Sequence, residues 1–250
     1  MNIGALIIGD ELLSGKRQDL HFNHLQATLA KRGLELSWTI IVGDEPEQLQ
    51  RFLAFSLAST DLVFSFGGIG ATPDDRTRQS VAKVAEVPLI PHPEATAEIE
   101  AQYGEKAYPN RILMANLPEG SRIIPNPINR VPGFSFHHHH FMPGFPEMSW
   151  PMLEWILDNN YPDLKNLAPK SEQVIYITKG RESDLLEVMQ NITINFPDLR
   201  LSSLPHLGNN THIEFSLRGE QSQVEQAMII LKTAIEQAEF TWSDQPPDNH

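Results

Sequence analysis

Leu62-Val63-Phe64-Ser65-Phe66-Gly67-Gly68-Ile69-Gly70-Ala71-Thr72-Pro73-Asp74-Asp75-Arg76-Thr77 passes from strand to turn to helix within one short stretch. Its uncharged, apolar start suits a strand covered on both faces. Glycines at 67, 68 and 70 break that strand with backbone able to turn tightly. Asp74 and Asp75 suit the positive end of a helix dipole, and the pattern after them predicts a helix from Asp74 to Glu86.

Upstream the same alternation repeats. Ile3 to Ile8 is a continuous apolar run closed by Gly9. His21 to Arg32 carries Phe22, Leu25 and Leu29 at helical spacing, with Gly33 just past its end. Leu36 to Val42 reads as a second strand and Glu47 to Leu57 as a second helix. Strand, helix, strand, helix, strand implies an α/β fold: a three-layer α/β/α domain around a mainly parallel sheet.

Downstream come a helix from Glu94 to Tyr103 and a Pro-, Asn- and Gly-rich stretch from Tyr108 to Pro146. That stretch holds short strand candidates at Arg122 to Ile124 and Gly133 to Met142, and a helix follows from Pro146 to Asn159. The polar segment Asn159 to Lys170 reads as a linker. Beyond it, strands at Gln173 to Thr178, Leu199 to Leu204 and His212 to Leu217 and helices at Ser183 to Ile194 and Gln221 to Ala238 give a βαββα order, a small α+β module. The expected division is residues 1–165, residues 171–240 and a tail, 241–250, frayed from Ser243 on.

The chain has 250 residues, 40% hydrophobic and 20% charged, a balance that excludes global disorder. Nineteen Lys and Arg against 32 Asp and Glu leave a net charge of -13, the wrong sign for tracking a phosphate backbone. Residues 166–250 are acidic too, and Leu207-Gly208-Asn209-Asn210 offers no GxxG clamp, so RNA is not an expected partner. With no cysteine, disulfides, thiolate metal sites and cysteine nucleophiles are excluded. No apolar stretch approaches the ~18 residues of a membrane span. The N-terminus lacks a basic region ahead of its apolar run, so the expected location is the cytoplasm.

Two glycine loops fail the common nucleotide signatures. Gly9 to Gly15 has five intervening residues instead of four, and Arg17 stands where a P-loop needs Ser or Thr. Gly68-Ile69-Gly70 has two glycines of a dinucleotide fingerprint, but Pro73 replaces the third. A glycine turn entering a helix nevertheless exposes amides that can cradle an anion. Asp74 and Asp75 would repel a bare phosphate but fit a divalent cation, Mg2+, set between carboxylate and phosphate oxygens. The plainer reading of these residues is a turn and a helix cap. Asp10 and Glu11 follow the first strand and Asp44 and Glu45 the second. In an open parallel sheet all these strand ends share one edge, where such folds bind ligands, though they are also ordinary turn residues.

Taken together, Gly9-Asp10-Glu11-Leu12-Leu13-Ser14-Gly15, Val42-Gly43-Asp44-Glu45, Gly67-Gly68-Ile69-Gly70 with Asp74-Asp75-Arg76-Thr77, Asn126-Pro127 with Pro132-Gly133-Phe134, and Pro143-Gly144-Phe145-Pro146-Glu147-Met148 resemble the MoaB/Mog-type molybdopterin-binding domain. The version resembled in detail is that of the competence/damage-inducible protein A (CinA) family. The βαββα segment resembles the KH-like module that follows this domain in CinA proteins.

The resemblance implies a phosphorylated pterin or nucleotide as ligand, Mg2+ as cofactor, no nucleic-acid or membrane partner, and self-association, with a homodimer expected first. The implied chemistry is hydrolysis of a nucleotide pyrophosphate such as ADP-ribose. Adenylyl transfer to molybdopterin in molybdenum cofactor biosynthesis, or a binding module without turnover, are the alternatives. Gly67, Gly68 and Gly70 would present amides to phosphate, Asp44 and Asp75 would hold metal or polarise the nucleophile, and Thr77 would support the loop. Glu11 and Glu147 would line the pocket, and Gly9, Asp10, Thr72, Asp74, Pro143 and Gly144 complete the implied ligand-binding set.

This chain departs from the family at Asp19-Leu20-His21, where a polar stretch containing Asn is usual, so that His21 would alter or abolish ligand contacts, and at Ala71, where Pro is usual. The 250 residues contain no amidohydrolase domain, so nicotinamide-nucleotide deamidation is not expected.

Histidines 137 to 140 read as a polar hairpin edge, since at most two of four consecutive residues in a strand can face one metal. His21 and His24 have helical spacing that could ligate a metal but more commonly marks a surface. Lys16, Arg17, Arg76, Arg78 and Arg111 are the basic residues nearest the pocket in sequence, and some are expected to face phosphate. Met148, Trp150, Met152, Trp155 and Tyr161 read as packing residues.

Overall fold

The structure, a computed structural model, describes residues 2–164, 170–178, 181–206 and 211–247. The chain divides into two compact units, Met1–Leu167 and Ala168–His250.

In the first unit the elements run β1 (Ile3–Ile8), α1 (Asp10–Leu13), α2 (His21–Ala30), β2 (Trp38–Val42), α3 (Pro46–Leu57), β3 (Leu62–Phe66), α4 (Thr77–Val84), β4 (Leu89–Pro91), α5 (Pro93–Tyr103), β5 (Asn116–Pro118), β6 (Arg122–Ile124), β7 (Gly133–Phe136), β8 (His139–Met142) and α6 (Pro146–Asn160). The main sheet has the order β2-β1-β3-β8-β7-β6. Its first four strands are parallel, while β7 runs antiparallel to β8 and β6 antiparallel to β7. A separate antiparallel pair joins β4 to β5.

Every residue of β1 and β3 is buried because helices cover both faces of the sheet. Successive side chains of a strand point to opposite faces, so one apolar run feeds two cores. Ile3, Ala5 and Ile7 pack with Leu25 and Leu29 of α2 and with Met152, Leu153 and Ile156 of α6. Leu6 and Ile8 pack with Leu49 and Leu53 of α3 and Val81 of α4. Local chemistry fixes the helix starts. Asp19 accepts from the backbone N–H of His21 (2.9 Å) and Phe22 (3.0 Å) ahead of α2, and Glu45 accepts from that of Gln48 (2.8 Å) ahead of α3.

Helix α4 and the β7–β8 hairpin differ from the sequence expectation. Helix α4 starts at Thr77, not Asp74, because Asp75 folds back on Thr72: its N–H donates to the Thr72 carbonyl (3.0 Å), and its Oδ2 accepts from Thr72 N (2.9 Å) and Oγ1 (2.6 Å). Those bonds close a turn and leave both aspartates in it. The stretch from Gly133 to Met142 is two strands, with His137 at φ 51 in the connecting turn.

Only half of the histidine run is a polar hairpin edge: His137 and His138 are exposed in the turn, whereas His139 and His140 are buried. Strand β8 lies between β3 and β7, and His139 and His140 are 1% and 0% exposed. They fit there because neighbours meet three of their four ring nitrogens, His139 Nδ1 being buried without a partner. His139 Nε2 pairs with Ser56 Oγ (3.1 Å), and His140 pairs through Nδ1 with Ser135 Oγ and through Nε2 with Tyr161 Oη (both 2.8 Å).

The second unit comprises β9 (Ser171–Thr178), α7 (Leu186–Asn195), β10 (Arg200–His206), β11 (His212–Gly219), α8 (Gln221–Gln237) and β12 (Thr241–Ser243). Its sheet, β10-β11-β9-β12, is antiparallel throughout. Ile175, Ile177, Ile213, Phe215 and Leu217, at alternate positions, pack on Val188 and Ile192 of α7 and Val224 and Leu231 of α8. Thr241–Ser243, placed in the tail by the sequence, form a fourth strand paired with Tyr176, Ile177 and Thr178, because Trp242 and Phe240 join this core. Residues 165–169 of the expected linker, 207–210 of the clamp comparison and 248–250 of the tail lie outside the described residues. Among the described residues no helix is long and apolar enough to cross a membrane.

Candidate functional site

In the order β2-β1-β3-β8 the chain leaving β1 goes to β2 on one side and the chain leaving β3 goes on to the strands of the other side, which opens a crevice between the β1 and β3 ends. A cleft of about 420 Å3 occupies that position. Gly9, Glu11, Arg17 and Asp44 line one rim, and the loop from Gly67 to Asp75 forms the floor. Pro143 and Gly144 close the far wall.

The floor is built from beneath by Thr77. This residue is fully buried, its N–H donates to Gly68 O (2.9 Å), and its hydroxyl donates to Gly67 O (3.1 Å). Gly67 and Gly68 have φ values of 107 and 68, which favour glycine strongly. A Cβ on Gly67 would collide with the Ile8 carbonyl, and one on Gly68 with the Thr77 hydroxyl. In a trans peptide the N–H points opposite to the C=O. With both carbonyls turned down onto Thr77, the N–H groups of Gly68 and Ile69 turn toward the cleft.

Arg78 fixes the same loop from the side. It is 4% exposed, and its guanidinium donates to the carbonyls of Gly70, Leu113 and Asn116 (3.1 Å for the last). Burial lowers its pKa to about 10, with the nearby Asp75 acting in the opposite direction, so it stays charged at neutral pH. Among the basic residues expected near phosphate, Arg17 lines the cleft. Arg78 instead lies beneath it, and Arg111 sits over the Tyr103 ring at 4.8 Å.

The acidic rim is crowded. Burial pushes the Asp44 carboxyl above its ordinary value, and the like charges of Asp10, Glu11 and Asp74 add to the shift against a hydrogen bond from the Asp10 backbone. Among the described residues no three His, Asp or Glu side chains are grouped to cage a metal. Mg2+ commonly takes only one or two carboxylates and completes its shell with water and substrate phosphate. Hard oxygen donors, one of them disfavoured as a bare anion by its neighbours, suit that arrangement.

The residues singled out by sequence therefore divide. Gly9, Glu11, Asp44, Gly67, Gly68, Gly70, Thr72, Asp74, Asp75, Pro143 and Gly144 line the cleft. Asp10 stands behind Asp44, Thr77 lies beneath the loop, and Glu147 is exposed on α6 outside the lining. His21 is buried rather than in the cleft, its ring stacked on Phe66 at 4.5 Å. His24 stacks on Trp150 at 3.9 Å. Beyond the expected site set, Tyr103, Met114, Asn129, Val131, Phe145 and Met148 also line the cleft. Phe145 and Met148 carried a signal, as members of the Pro143–Met148 motif, and Met148 also as one of the packing residues of α6.

Residues 4–166 match the family described as a probable molybdopterin binding domain. The chain belongs to that family. A CinA-like protein of Desulforapulum autotrophicum is 31% identical over 216 residues, covering 80% of this chain and 50% of that protein. A CinA-like protein of Gloeobacter violaceus is 37% identical over 131 residues, covering 51% of this chain and 31% of that protein. The chain thus spans half or less of the length of these curated relatives. The crystal structure of the CinA protein of Thermoplasma acidophilum, described as of unknown function, matches with a TM-score of 0.59 at 27% identity, covering 66% of this chain and 99% of that one. In this molybdopterin-binding-domain chain, residues 4–166 contain every residue of the cleft.

Proposed function

We propose that the first unit binds a phosphorylated nucleotide or pterin in this cleft and, with Mg2+, hydrolyses a nucleotide pyrophosphate such as ADP-ribose. The observation that carries the reading is the pairing of inward-turned amides at Gly68 and Ile69 with carboxylates on the facing rim. Amides hold phosphate oxygens, whereas carboxylates repel them unless a cation intervenes. Asp44 and Asp75 would hold Mg2+, which supplies charge neutralisation between carboxylate and phosphate oxygens. Asp75 gives one oxygen to Thr72 and keeps Oδ1 for that task.

In the proposed reaction, water attacks one phosphorus and the bridging P–O bond breaks. AMP and ribose 5-phosphate form, and the proton of the water passes to a carboxylate of the rim. The chain's part is positioning: fixed amides hold the ligand. The lining side chains of Tyr103, Met114 and Phe145 suit a flat heterocycle. Adenylyl transfer to molybdopterin is the second reading, favoured by the description of the matched family.

Product analysis tests both. Metal-free protein is incubated with ADP-ribose, FAD or ATP, with and without Mg2+, beside Asp44→Asn and Asp75→Asn. AMP release that needs Mg2+ and both carboxylates supports hydrolysis. No release, with an adenylylated product from ATP plus molybdopterin, moves the assignment to transfer. Neither product rules out both reactions, and ligand binding alone then defines a binding module.

A further inference from the structure

The buried histidine at the start of α2 has no part in the chemistry above, yet it touches the far wall of the cleft. His21 is 6% exposed, and its Nε2 lies 3.2 Å from the carbonyl oxygen of Gly144. A carbonyl only accepts, so Nε2 carries the proton and donates. Nδ1 is buried without a partner, and burial holds the imidazole below its ordinary pKa, so the ring is neutral. Stacking on Phe66, the residue before Gly67, fixes the plane of the ring.

Gly144 itself packs against the floor: a Cβ there would lie 3.4 Å from Gly67 Cα. The Gly144–Phe145 peptide is trans, since the described residues contain one cis bond and it is Tyr108–Pro109. With its carbonyl held by His21, the N–H of Phe145 points the opposite way. No acceptor among the described residues takes that N–H, and Gly144 and Phe145 both line the cleft. Thr77 turns the Gly68 and Ile69 amides inward by binding the carbonyls before them. His21 stands in the same relation to Phe145.

We infer that His21 is a positioning residue that turns the Phe145 amide into the cleft as a third phosphate donor, opposite those of Gly68 and Ile69. The inference rests on the proposed phosphate site and names a further donor in it. Its chemistry fits a ligand with two linked phosphates, one gripped by the floor and the other by the far wall.

The test compares His21→Phe, which keeps a ring on Phe66 and loses the donor, with His21→Gln, which restores an amide donor. Titration calorimetry with inorganic pyrophosphate and with ADP-ribose, each with Mg2+, should show about tenfold weaker binding for His21→Phe, the scale of one hydrogen bond. His21→Gln should recover most of that loss, whereas a purely structural role would lower thermal stability and leave affinity intact. Equal affinity in wild type and His21→Phe overturns the inference.

Wild type that binds neither ligand refutes the proposed function. The inference about the peptide is then decided by amide spectra, in which His21→Phe must shift the Phe145 signal. Should His21→Phe not fold, the wild-type imidazole spectrum decides. A proton on Nε2 with Nδ1 bare supports the arrangement, and a proton on Nδ1 alone overturns it.

Discussion

Asp10 and Asp44 cap each other. The backbone N–H of Asp10 donates to Asp44 Oδ2 at 3.0 Å, and that of Asp44 donates to Asp10 Oδ1 at 3.1 Å. This exchange ties the end of β1 to the end of β2 and sets two carboxylates side by side. A Cβ on Gly43 would strike Asp10 Oδ1, so the close approach depends on that glycine. The geometry concentrates negative charge at the rim where a cation is proposed.

Asp44→Asn keeps an oxygen for the Asp10 amide and removes a charge that burial and its neighbours disfavour. The metal-free variant should melt roughly 1–3 °C higher than wild type, the scale of a relieved partly exposed repulsion. Millimolar Mg2+ with ADP-ribose should stabilise wild type and leave the variant unchanged. Thermal scans in the four conditions check both statements. A variant melting below wild type without metal would contradict the repulsion.

Gly67→Ala meets both a backbone penalty at φ 107 and a collision with the Ile8 carbonyl. The expected cost is about 2–4 kcal/mol, read from urea unfolding. Gly15→Ala is the control. Gly15 has φ 70 and open space around the added methyl, so about 1 kcal/mol is expected there. Equal costs at the two positions would show that the contact with Ile8 contributes nothing.

The parallel layers were legible because β1 and β3 are uninterrupted apolar runs, and only a strand covered on both faces needs one. The floor of the cleft was legible for a related reason: positive φ at Gly67 and Gly68 leaves a compositional mark. The place of His139 and His140 was not. Their burial depends on Ser56, Ser135 and Tyr161, which lie up to 83 residues away in sequence and satisfy ring nitrogens that look solvent-seeking in isolation. The lining role of Tyr103 and Met114 was equally hidden, because they come from separate segments with no shared spacing. Arg78 misled in the other direction. Proximity to the loop in sequence placed it near phosphate, whereas its helix turns the guanidinium beneath the loop.

Arg78→Met removes a buried fork that serves the carbonyls of Gly70, Leu113 and Asn116. Those acceptors would lose their donor in a dry setting, for a cost of about 2–4 kcal/mol. Arg78→Lys keeps the charge but cannot reach all three carbonyls at once, so it should fall between wild type and Arg78→Met. Urea midpoints rank the three proteins. If Arg78→Met matches wild type, the guanidinium does not hold the loop.

Acid should unfold the first unit through β8. Burial lowers the pKa of His139 to about 4 and that of His140 to about 3 from the ordinary 6.5, with neighbouring histidines adding to both shifts and Arg122 to the second. Both rings are therefore neutral in the fold at pH 7, whereas in the unfolded chain they take up protons below about 6.5. The unfolded state binds more protons between those limits, so stability is full above about pH 6.5 and falls as pH drops toward the folded values. Each ring contributes a slope on the order of 1.4 kcal/mol per pH unit in that window. Urea midpoints at pH 7.5, 6.0 and 5.0 measure the slope, to which His21 and His24, also held below their ordinary value by burial, add; His140→Gln, which cannot titrate, should remove one ring's share of it. If wild type and His140→Gln lose stability in parallel, the buried histidines are not the acid-sensitive groups.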